Sequence, residues 1–139
     1  MSVRLELLGS ATEVAEARHR IARALEGVLG PERLDVVVLC ASELLTNAVR
    51  HGGGPSGIEV LSAPGAVRVA VRDRNPSPPL LLPAGPEAES GRGLRIVEAL
   101  STAWGWNPVG GVRPARGDGA AKEVWFQLGR GVSEPLRMT

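Results

Sequence analysis

Tyrosine is absent from the 139 residues, phenylalanine occurs once and tryptophan three times, so the chain lacks a set of aromatic platforms on which bases could stack. An excess of either charge is lacking too. Sixteen Lys and Arg stand against fifteen Asp and Glu, for a formal net charge of +1. That balance leaves no electrostatic footprint for DNA or RNA and no attraction to an acidic membrane surface. A single cysteine, Cys40, excludes an intrachain disulfide, and its place in the apolar part of a helical pattern reads as a small core residue. No apolar run approaches a membrane span, and the opening "MSVRLELLGS" is too short and polar for a signal peptide, so the expected location is the cytoplasm. Metal-ligand spacings of His, Cys, Asp and Glu are missing, as are a phosphate loop ending in Gly-Lys-Ser/Thr and a G-x-S-x-G elbow.

What remains is an ordinary globular composition, 43% hydrophobic and 22% charged, in a chain long enough for one core. "VRLELL" (3–8) alternates as a strand. Ser10 and Glu13 have capping-box spacing ahead of a helix whose face carries Val14, Ala17, Ile21 and Leu25. Gly30 ends that helix, and Pro31 opens a second that runs to about Arg50. "GIEVLSA" and "AVRVAVRDR" predict two strands joined by the Pro64–Gly65 turn. Residues 74–90 carry five prolines and no period, which predicts a functional or mobile loop. A third helix follows, with Leu94, Val97 and Ala99–Leu100 as its apolar stripe. "WGWNPV" and "AKEVWFQL" then predict two strands, joined by a glycine-rich turn from Arg113 to Gly119. Consecutive strands with short turns predict an α+β fold: a two-layer α/β sandwich with a mixed, mainly antiparallel sheet and its helices on one face. The expected domain is 1–128, with 129–139 a flexible tail.

The stretch "SELLTNAVRHGGG" (42–54) puts Glu43 and Asn47 within about 40° of each other on the second helix, some 100° from the arc of Val37, Ala41, Leu44, Leu45 and Ala48. Taken alone, such a polar edge is what any surface helix presents. His51 near the helix end is equally at home as a favourable C-terminal side chain. Asp73, at the end of a strand where the long loop departs, suits either a ligand position or the start of a turn. "GRGL" (91–94) offers glycines and free N–H groups at a helix start, where phosphate binds, or simply a flexible lead-in.

Order and spacing carry more than any of these pieces. Glu43, Asn47 and His51 in a helix, Asp73 after a hairpin strand, then a loop and Gly91–Gly93 opening another helix: together they resemble the GHKL ATPase superfamily of gyrase, heat-shock chaperone, histidine kinases and mismatch-repair ATPase. Within it the chain looks most like the small anti-sigma factor serine kinases. "ELLTNAVRHG" resembles their N box, "SGRGLRIVEAL" their second glycine box and "KEVWFQL" their closing strand. The resemblance implies the histidine kinase-like ATPase fold with ATP and Mg²⁺ as cofactors, and gives each residue a role. Asn47 would ligate Mg²⁺, and Glu43 would accept the proton of an incoming hydroxyl. His51 and Asn75 would belong to the nucleotide site, and Asp73 would receive the adenine amine. Gly91, Arg92, Gly93 and Leu94 would close a lid over the phosphates.

It further implies a homodimer that phosphorylates an anti-sigma factor antagonist and can hold a sigma factor. The alternative is a nucleotide-gated binding module without kinase activity; a detached histidine-kinase catalytic domain is a third reading. The pattern departs from D-x-G-x-G at "DRNPS" (73–77), where Asn75 replaces the first glycine and Pro76 restricts it to extended geometry. Lys122, the only lysine, lacks the expected preceding glycine and reads as one half of a surface ion pair.

Overall fold

Branched apolar residues at every second position sort a strand into one face for the core and one for water. The structure, a computed structural model, describes residues 1–79, 92–109 and 119–129. Strands β1 (Ser2–Glu6), β2 (Pro55–Ala63), β3 (Ala66–Asp73), β4 (Ala103–Pro108) and β5 (Lys122–Leu128) form one sheet in the order β1-β2-β3-β5-β4. Every neighbouring pair among the described residues is antiparallel, so the expected mixed sheet is an antiparallel one. Register aligns Val3, Val60, Val69, Phe126 and Trp104 in one row and Leu5, Ile58, Val71, Val124 and Trp106 in the next.

Helices α1 (Thr12–Leu25), α2 (Pro31–His51) and α3 (Arg92–Leu100) supply the other layer. The predicted stripe of α2 is buried, and with Ile21, Leu25, Val97 and the sheet valines it makes one core. Each valine, leucine or isoleucine among them contributes on the order of 1.5–3 kcal/mol when fully buried. On the opposite sheet face Arg68 stacks over the Trp125 ring, 4.0 Å from its centroid.

Several boundaries differ from the sequence reading, each for a local reason. β1 stops at Glu6 because the Glu13 carboxylate accepts the N–H groups of Leu8, Gly9 and Ser10. The capping box is half formed: Ser10 Oγ donates to that carboxylate instead of accepting an N–H from the helix. In α3 only Leu94 and Val97 of the expected stripe are buried. At 100° per residue, Ala99 points almost opposite to them, and Leu100 is exposed. The Pro64–Gly65 turn is present, with Gly65 at φ +80°. Of the other expectations, the loop at 80–90, the turn from Arg113 as far as residue 118 and the tail at 130–139 lie outside the described residues.

Candidate functional site

Three glycines end α2. Gly52 and Gly54 both donate to the Ala48 carbonyl, while Gly53 and Gly54 take φ values of +70° and +99° that side chains resist. Gly52 itself has an ordinary φ of −102°, so its reason is space: a Cβ there would lie 2.6 Å from Asp73 Oδ2. The chain thus sets the C-terminal end of α2 directly against the end of β3. Arg74 secures the junction by donating its N–H to the Gly52 carbonyl and its guanidinium to the Pro55 carbonyl.

Asp73 is buried there, 2% exposed, beside helix-end carbonyls that carry partial negative charge. Its counter-charge is Lys122, the facing residue of β5. Lys122 is 3% exposed and donates to Asp73 Oδ1 at 2.9 Å and to the Asn75 carbonyl at 2.9 Å. The expected surface ion pair is therefore a buried one inside the site, and it belongs to Asp73. Burial raises the Asp73 carboxyl above the ordinary range, against the pull of the Lys122 ammonium and the Asn75 N–H.

Asn75 replaces the flexibility of a glycine with side-chain hydrogen bonds. Its N–H donates to Asp73 Oδ1, its Oδ1 accepts from the Ser77 N–H, and its Nδ2 donates to the His51 carbonyl at the end of α2. These are two successive Asx turns plus a helix cap. His51 contributes that carbonyl, and its half-buried side chain makes no hydrogen bond among the described residues.

Glu43 lies where α2 packs against α3, and Asn47 is one turn further along α2. Glu43 is half-buried, and a Cβ on Gly93 would lie 2.9 Å from its Oε2, so α3 starts close over this carboxylate only because Gly93 is bare. Asn47 is 8% exposed, and its buried Oδ1 has no hydrogen-bond donor among the described residues. A surface helix would have turned that oxygen to water. An unpartnered buried carbonyl suits a hard cation, which takes oxygen ligands and completes its shell elsewhere. Among the described residues no three His, Cys, Asp or Glu side chains gather to hold a metal by themselves. Cys40, fully buried one turn before Glu43, has its thiol pushed up to about 11 by burial and then by the Glu43 charge.

Of the remaining expected residues, Leu94 is buried in the core and Arg92 is the first residue of α3. Gly91 lies outside the described residues. The roles of Gly52 and Arg74 and the place of Lys122 emerge only in the structure. The signal for Lys122 was an opposite charge facing Asp73 across two strands, visible only once their register is known.

Among the described residues, a five-stranded antiparallel sheet packs under three helices, one of which carries an orphaned amide oxygen and a carboxylate on one edge. The chain belongs to the histidine kinase-like ATPase domain family, which it matches over residues 9–112. That match takes in Glu43, Asn47, Asp73 and Gly93 and stops before Lys122. An uncharacterized protein of Streptomyces coelicolor is 39% identical over 80 residues, which cover 54% of this chain and 76% of that protein. No described helix is long and apolar enough to cross a membrane.

Proposed function

We propose that this ATPase-type domain is an ATP-dependent serine kinase, acting as a homodimer on a small anti-sigma factor antagonist and able to hold a sigma factor. The observation that carries the reading is Asn47 Oδ1, buried one turn from Glu43 and without a partner among the described residues. Asn47 would hold Mg²⁺, which when bound offsets the phosphate charge of ATP. Asp73 would take the base at the end of the sheet. The main-chain N–H groups of Gly91, Arg92, Gly93 and Leu94, as the resemblance implies, would receive phosphate oxygens. Glu43 would accept the proton of the incoming serine hydroxyl as its oxygen takes the phosphoryl group and ADP leaves.

A second reading, a nucleotide-gated binding module without transfer activity, draws on the commitment of Asp73 Oδ1 to Lys122. Labelled phosphate transfer from ATP to a candidate antagonist, with its serine-to-alanine form as control, separates the two. In a kinase, Glu43→Gln keeps ATP affinity while transfer falls about 10²- to 10⁴-fold. No transfer by the wild type to any candidate antagonist would favour the module. Transfer by Glu43→Gln at the wild-type rate would remove Glu43 from the chemistry.

A further inference from the structure

The two halves of the proposed site sit on different elements: Asp73 ends β3, and Asn47 belongs to the C-terminal half of α2. Between α2 and the sheet runs the Gly52–Gly54 turn, whose residues have the most backbone freedom to lose on folding. Arg74 ties this turn to the end of β3. Its N–H donates to the Gly52 carbonyl at 2.9 Å, and its Nη1 donates to the Gly54 and Pro55 carbonyls at 3.3 and 3.1 Å. The Gly54 N–H in turn donates to the Ala48 carbonyl at 2.9 Å. A path of hydrogen bonds therefore leads from the residue after Asp73 to the residue after Asn47. The guanidinium also passes close to bare backbone on its other sides. A Cβ on Gly9 would lie 2.8 Å from Nη1, and one on Gly119 would lie 3.6 Å from Nε.

We infer that Arg74 is a positioning residue, which holds the end of α2 against the end of β3 so that Asn47 and Asp73 meet one nucleotide. The inference rests on the nucleotide reading above. A ligand held at both ends gains from the second contact only while the two ends of the site keep a fixed spacing. Arg74 acts through the glycine turn and not on nucleotide or cation, so its loss leaves each end intact and loosens the spacing. Mg²⁺ separates the two contributions. The Asn47 carbonyl oxygen cannot accept from a phosphate oxygen, so without the cation ATP gains nothing from that end. The gain in affinity that Mg²⁺ brings is therefore the quantity that depends on Arg74.

Two measurements on the full chain test it. In the free protein, amide exchange at Gly54 should quicken about 10-fold or more in Arg74→Met, while Val69 in β3 exchanges as in wild type. In calorimetry, Arg74→Met should bind ATP without Mg²⁺ within about threefold of wild type and lose about 10-fold or more of the gain that Mg²⁺ brings. Arg74→Lys, which keeps a charged donor for one carbonyl, should lose less of that gain. If Arg74→Met does not fold, Arg74→Lys against wild type decides both measurements. Unchanged Gly54 exchange or an undiminished Mg²⁺ gain overturns the role of Arg74 and leaves the nucleotide reading standing. An equal loss of affinity with and without Mg²⁺ marks a general structural staple and overturns the role as well. Wild type that binds no ATP, or gains nothing from Mg²⁺, overturns both.

Discussion

An acceptor buried without a donor costs a fold about 1–3 kcal/mol, so Asn47 Oδ1 is a stability debit in the free protein. Removing it should therefore be cheap. Asn47→Ala is expected to stay within about 1 kcal/mol of wild type in urea unfolding without nucleotide, despite the burial of the site. A loss above about 3 kcal/mol would mean that the amide is structural. Cys40 gives a prediction of a different kind. The folded chain keeps the thiol proton up to about pH 11, while the unfolded chain releases it near its ordinary value of 9.0. Between those values the native state binds more protons, so this contribution is complete below pH 9 and is lost as pH rises towards 11. The free energy of unfolding should fall over that window by up to about 3 kcal/mol, and by less in Cys40→Ala. Identical alkaline slopes in the two proteins would contradict it.

At the scale of elements, the working feature is the meeting of α2 with α3 and with the end of β3. Gly93→Ala places a methyl against Glu43 Oε2 while adding a better helix former. Its thermal midpoint should not fall, whereas on the kinase proposal phosphate transfer should drop because the carboxylate is displaced. Unchanged transfer at unchanged stability would show that Glu43 does not need that space. The helices and strands were legible because their periods are strong: Ala17, Ile21 and Leu25 recur at helical spacing, and the valines of β2 and β3 alternate. Glu43 and Asn47 could be placed on one edge from spacing alone, but not whether that edge faced water or α3. Packing between helices decides that, and nothing local encodes it. The place of Lys122 is hidden in the sequence for a related reason. Its partner is 49 residues away in sequence, and only the β3–β5 register brings the two together. Asn75 was read as a lost glycine, when its amide supplies the turn and the helix cap that a glycine would have left to the backbone.

Across the whole molecule, the end of β3, the start of β5 and the glycine turn after α2 meet at Asp73 and Lys122, while Glu43, one turn from Asn47, lies where Gly93 of α3 approaches α2. Family membership and this placement both point to nucleotide, and both readings of function share that step. It is tested most directly by calorimetric titration of ATP into wild type and Asn47→Ala, each with and without Mg²⁺. The expected result is tight binding by wild type only when Mg²⁺ is present, and weak binding by Asn47→Ala that is the same in both conditions. Equal ATP affinity in the two proteins, or an undiminished Mg²⁺ effect in Asn47→Ala, would contradict it.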